Sequence, residues 1–207
     1  MSTLINHGQH TFVGSLAHCG EDVNLGDFTL VEKDVRLGHR VTVWHYCIIR
    51  PEADLHDDVM VGSYTEIGPG CVIGAKSRIG SHSQVHEPAQ IGARVFVGPG
   101  TIIGNDKYPV VDKIDFQPQA VVIGDDAVIG MGCSIIGGVK IGAGAYIGAG
   151  TVVCKDVEAG GVLCGNPPRL LGRRTVCQPG TAIEHYGPQN KDEECQLCRD
   201  LGVERRT

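Results

Sequence analysis

The feature that most narrows the fold is an aliphatic residue that returns at every sixth position. From Leu25 the series runs without a gap through Val31, Leu37, Val43, Ile49, Leu55, Val61, Ile67, Ile73, Ile79, Val85, Ile91, Val97 and Ile103. Two residues before each stands a small or β-branched one, from Val23, Thr29 and Val35 to Ala89, Val95 and Thr101. Strand side chains alternate faces, so these two positions turn to the same side. The residue after the aliphatic one is often glycine, which accepts the positive φ that a corner needs. A short strand and a tight corner, repeated, wind into an all-β solenoid whose stacked rungs bury one continuous core.

The repeat covers Val13 to Gly104 and then loses phase, because the next in-register aliphatic residue, Ile123, follows Ile103 only after twenty residues. The interval 105–118 holds two prolines and five charged residues and has no hexads, which predicts a loop extruded from the wall. Long loops on a compact scaffold are usually functional. The hexads resume at Ile123, Ile129, Ile135, Ile141, Ile147 and Val153, for about seven coils in all. The first dozen residues precede the clean repeat and are expected to cap its open end. The organisation expected is a β-helix domain over 1–169 and a tail over 170–207, Arg-rich and then acidic, with a short helix near 191–201.

Composition closes off other classes. Thirty glycines are about twice the usual share, as a corner-rich solenoid requires. The net charge of -6 argues against nucleic acid as a main partner. The start, Met-Ser-Thr-Leu-Ile-Asn-His, has no basic-then-apolar signal, and no apolar run approaches membrane-spanning length, so a soluble cytoplasmic protein is expected. Of the nine cysteines, Cys19 falls in an aliphatic slot and Cys47, Cys71 and Cys133 in small inward slots, where a thiol acts as a small hydrophobe.

The run Val61-Gly-Ser-Tyr-Thr-Glu-Ile67-Gly-Pro-Gly-Cys-Val-Ile73-Gly resembles the hexapeptide-repeat acyltransferases. That resemblance implies a left-handed parallel β-helix with three hexads per triangular coil, so residues eighteen apart lie one above the other. The segment from Lys155-Asp-Val to Gly165-Asn-Pro-Pro168-Arg169 resembles the family's closing signature, with Pro168 and Arg169 where alanine and lysine are common. Asn105-Asp106-Lys107-Tyr108-Pro109 resembles the loop of the branch that acetylates nucleotide-linked amino sugars, although Val110 follows where arginine is frequent.

Adding eighteen to 86 places Gly104, the root of the loop, directly above His86, which itself occupies a slot normally given to glycine. Acyl transfer from a thioester to an amine needs a base and hydrogen-bond donors facing the developing oxyanion. His86 is the candidate base, with His82, one strand away, as second choice. The resemblance implies that Asn105 contacts the sugar amine and that Asp106, Lys107 or Tyr108 meets the sugar or diphosphate. It also implies acetyl-CoA as co-substrate, no metal for catalysis, and a homotrimer with active sites in grooves between subunits. The small residues around Gly148 and Ala149 leave room for a pantetheine arm, and Lys155 and Arg169, with Arg173 and Arg174 as further candidates, suit its phosphates.

Three alternatives stay open. An O-acetyltransferase would use the same base on an alcohol. A γ-carbonic-anhydrase-like protein would need a metal held by histidines, but His39, His45, His56, His82 and His86 contain no pair eighteen apart. A non-catalytic solenoid is the third. In the tail, Cys195-Gln-Leu-Cys198 with Cys177 and His185 forms a weak candidate for a structural zinc site.

Overall fold

A computed structural model describes residues 5–109, 111, 116–173, 175–176 and 184–185. The expected helix near 191–201 and the cysteines at 177, 195 and 198 lie outside these residues.

The chain is a left-handed parallel β-helix of about eight turns. Its three faces are sheets of ten, eight and seven strands, mostly of two residues, in which every strand up to Gly161–Cys164 pairs in parallel with the one a coil away. Register is eighteen residues per turn: Val61 lies over Val43 and under Ile79, and Ile67 over Ile49 and under Val85. The aliphatic series therefore becomes three vertical ridges that meet inside the triangle. Ile49, Ile67 and Ile103, Leu55 and Ile73, and Val61, Ile129 and Ile147 are all fully buried. Across the loop the register rises to thirty-two, with Ile91 under Ile123 and Ile103 under Ile135. That is fourteen more than in the coils below, the length of the segment 105–118, so the wall resumes its phase as if the loop were not there; only the last coil is shorter, with Tyr146 under Val162 and Ile141 under Val157.

The small inward positions are not all hydrocarbon. Thr29, Cys47, Thr65, Ser83, Thr101 and Cys133 form one buried column, and each donates to a carbonyl of the coil above: Trp44, Gly62, Gly80, Gly98, Gly130 and Gly148 respectively. Cys47 and Cys133 are thus weak donors in a column otherwise made of hydroxyls, as well as small side chains. Burial pushes both thiols up, and pushes Cys71 up to about 12.

The glycine after each aliphatic residue serves a purpose other than positive φ. A Cβ on Gly26 would lie 2.6 Å from the amide nitrogen of His45, and one on Gly68 2.8 Å from that of Glu87, so the slot is closed by the backbone of the coil above. The left-handed residue falls two positions later, where fourteen non-glycine residues hold φ between 54° and 62°. Besides Cys154 in the last coil, six residues do place a side chain in the glycine slot: Glu32, Trp44, Arg50, His56, His86 and Ile136. Their N–H bonds to the coil above measure 2.9–3.0 Å, whereas the glycines in that slot give 2.7–2.8 Å. The coils part slightly to admit them.

At the ends the fold departs from expectation. Residues 5–12 are wall as well as cap, since Ile5–His7 pairs in register with Val23–Leu25 and Phe12–Val13 with Leu30–Val31. At the other end Arg169–Arg173 returns antiparallel against Gly161–Cys164, which carries the ten-stranded sheet to Arg173, past the boundary at 169. Among the described residues no helix is long and apolar enough to cross a membrane.

Candidate functional site at the root of the inserted loop

His86 follows the strand Gln84–Val85 and Gly104 follows Ile102–Ile103, and these strands pair with Val85 opposite Ile103. The His86 N–H donates to the Ile103 carbonyl at 2.9 Å, which fixes the half-buried histidine one storey below the loop root. Its own carbonyl accepts from the Ala89 N–H at 3.2 Å and faces the Cys71 thiol at 3.5 Å. Beneath it, Gly68 contributes no side chain, so the next group down the column is Arg50. The Arg50 guanidinium bridges Glu66 at 2.7 Å and Glu32 at 3.1 Å, and the bond to Glu66 is the main reason its pKa is raised. This carboxylate-flanked arginine, which the hexad pattern did not flag, sits in the same outer column as His86. The signal for it was present: 32, 50 and 86 are multiples of eighteen apart.

The loop leaves and rejoins the wall at a narrow neck. The Gly104 N–H bonds to Ile135, the Gln119 N–H donates to the Asn105 carbonyl at 2.8 Å, and the Gly138 N–H takes the Gln119 carbonyl at 3.1 Å. A Cβ on Gly137 would fall 2.5 Å from the Asn105 carbonyl carbon, so only a glycine lets the loop root lie flat beneath that coil. Asn105 and Asp106 are partly buried at this neck, while Lys107 and Tyr108 stand out in solvent. The Asp106 carboxylate accepts the Tyr108 N–H at 2.9 Å, and the Lys107 ammonium lies 5.7 Å from the Tyr108 ring centre. The structure therefore gathers His86, Asn105 and Asp106 at one corner and sends Lys107 and Tyr108 outward from it.

His82 belongs elsewhere. It stands at the corner that precedes Gln84–Val85, with φ of 59°, and stacks on Tyr64 with ring centres 4.9 Å apart. Below Tyr64 the stack continues through Tyr46 and Phe28 to His10, every step 4.8 to 5.0 Å. A second corner carries Arg40 on Asp58 and Arg94 on Asp126 in two-point ion pairs. Both ladders repeat at the wall's own spacing.

The upper residues divide in the same way. Gly148 is buried, and a Cβ there would meet the Cys164 side chain, its thiol at 2.5 Å and its Cβ at 3.1 Å; Ala149 beside it is exposed. Lys155 and Arg173 line a cavity of about 540 Å³ with Cys154, Asp156, Glu158, Leu163 and Leu170. Arg173 is paired with Glu158, and Arg169 is exposed at the start of the closing strand. His39 and His45 use Nδ1 to accept the N–H of Glu21 and Asp27 on the coil below. Among the described residues no group of three or more His, Cys, Asp or Glu side chains is arranged to hold a metal ion.

Comparison with known proteins agrees with this wall. The chain is 35% identical over 147 residues to the bifunctional protein GlmU of Paraburkholderia xenovorans, and 34% identical over 155 residues to that of Listeria monocytogenes. These matches take 71% and 74% of the chain but only 30% and 32% of the relatives, so the chain spans about a third of their length. Among solved structures it is similar to the polySia-specific acetyltransferase NeuO, at 21% identity and a TM-score of 0.48, over 88% of this chain and 91% of that one. It is also similar to the acetyltransferase domain of PglB from Neisseria gonorrhoeae, at 18% identity and a TM-score of 0.47, over 81% and 58%. Residues 52–87, 70–105 and 120–155 match the bacterial transferase hexapeptide (six repeats), on the same hexads that build the three ridges. Those repeats run in register through the wall, so the chain carries the family's hexapeptide repeat over residues 52–105 and 120–155.

Proposed function

We propose that the chain is an acyl-CoA-dependent N-acyltransferase that acetylates the amino group of a nucleotide-linked amino sugar. The observation that carries this reading is the half-buried His86 set one storey beneath the neck of the inserted loop, with Asn105 beside that neck. A wall of this family with one loop extruded over one histidine has the parts for acyl transfer. In the reaction His86 takes the proton as the amine nitrogen attacks the thioester carbonyl, the carbon–sulfur bond breaks, and the thiol leaves with a proton. Asn105 holds the amine, and Asp106, Lys107 and Tyr108 meet the sugar or its diphosphate. The acyl donor lies along the upper coils past Ala149, with Lys155 and Arg169 at its phosphates. Each site joins loop 105–118 of one subunit to the wall of the next in a homotrimer, and the reaction takes place in the cytoplasm without a metal.

The test is thiol release from acetyl-CoA with a panel of nucleotide-linked amino sugars, simple alcohols and bicarbonate. Release confined to the amino sugars is expected, and His86→Ala should lower it roughly 100-fold or more. Release with alcohols alone would transfer the reading to O-acetylation, and a His86→Ala rate near wild type would remove the histidine from the chemistry.

A further inference from the structure

The ring ladder ends at an open face. His10, Phe28, Tyr46, Tyr64 and His82 each cover the next, and the same corner continues upward as Gly100, Gly132 and Gly150. The register is carried by the backbone: the Tyr64 N–H bonds to His45, that of His82 to Ser63, and that of Gly100 to Ser81, at 2.9 to 3.0 Å. At Gly100, Gly132 and Gly150 an added Cβ would find no atom within 4 Å. Among the described residues no ring lies on the upper side of His82. Inside the ladder each ring face is occupied by a neighbour and only edges meet water, so the one free upper face belongs to His82. Ile102, two residues past Gly100, and Met131, beside Gly132, are exposed at 45% and 61%.

We infer that His82 is a stacking platform for a nucleobase, which takes the ladder's next rung in the space the glycine corner leaves empty. Offset stacking of a flat ring at the ladder's own spacing suits any base, because every base has a π-face. The distance to the proposed reaction centre fits a nucleotide-linked acceptor. His86 follows His82 by four positions, about 13 Å at a strand rise of about 3.3 Å per residue, a span a diphosphate and sugar can cover. Gln84 and Ile102, stacked one above the other, pave the way between them. The proposal rests on the nucleotide-linked acceptor of the reading above, although adenine of the acyl donor offers the same ring chemistry.

The experiment is equilibrium titration of the full chain with UDP, GDP, ADP and, as a baseless control, pyrophosphate, with no acyl donor present. His82→Ala should weaken UDP or GDP about 10- to 100-fold. His82→Tyr, which keeps a ring face, should bind within about threefold of wild type. Gly100→Tyr should lay its ring on His82 as Tyr64 lies on Tyr46, and so abolish nucleotide binding while circular dichroism stays native. Pyrophosphate binding should be unmoved by all three changes. Dependence on His82 for ADP alone would support the platform and assign it to the acyl donor. Nucleotides that bind His82→Ala or Gly100→Tyr as well as wild type, or do not bind wild type, overturn it. Because no acyl transfer is read, His82-dependent binding without thiol release would sink the proposed reaction and leave the platform standing.

Discussion

Gly130 and Gly132 occupy one corner and should respond to substitution for opposite reasons. A Cβ on Gly130 would lie 2.7 Å from the Ala149 Cα and 2.8 Å from the Gly148 carbonyl carbon, both backbone atoms of the coil above. Those atoms cannot rotate away, so Gly130→Ala must part the coils. The six side chains tolerated in this slot show the scale: their inter-coil bonds are 2.9–3.0 Å, against 2.7 Å at Gly130. Forcing an extra methyl group into packed structure costs about 1–3 kcal/mol, and we expect about 2 for Gly130→Ala. Gly132 has φ of 65° and open space where its Cβ would stand, so Gly132→Asn needs only the left-handed conformation that asparagine adopts readily. That variant should lie within about 0.5 kcal/mol of wild type, since the less flexible unfolded chain offsets part of the cost. Urea unfolding at a common slope reads both, and melting should fall about 4–8 °C for Gly130→Ala. An unchanged midpoint for Gly130→Ala, or greater damage from Gly132→Asn, would refute the view that coil-on-coil contact selects the first glycine and dihedral angle the second.

Two other outcomes follow from the wall. Deleting residues 105–118 restores a register of eighteen, so the protein should keep its β-sheet circular dichroism and cooperative unfolding yet lose acyl transfer; collapse of the fold would show that the loop supports the wall. Burial raises the thiols of Cys47, Cys71 and Cys133, so folding holds protons that the unfolded chain releases above about pH 8.5. Their contribution is complete below that pH and declines as pH rises towards the folded value of about 12 for Cys71. The urea midpoint should therefore fall between pH 8 and 10, and less steeply in Cys71→Ala; an equal slope in the two proteins would contradict this.

Much of the fold is legible because burial is periodic. An inward aliphatic residue must recur wherever the core continues, so the ridges and the bounds of the inserted loop can be counted from the sequence. The first rung escapes the count because His7 stands opposite Leu25, where the pattern asks for an aliphatic residue. The closing strand escapes because Arg169–Arg173 runs antiparallel and obeys no hexad. The placement of His86 under Gly104, with His82 one strand away, could be reached by counting residues. The ring and charge ladders were readable in principle, since 28, 46, 64 and 82 differ by eighteen. They stand at solvent-facing corners, and a search for apolar recurrence passes over them.

The neck at Asn105 and Gln119 gives the molecule a further property. The hydrogen bond between those residues draws the two ends of the excursion together, and the wall resumes its phase above it. The peptide between them can then be exchanged without shifting the ridges, so the scaffold serves as an unchanging mount for whatever sequence it carries.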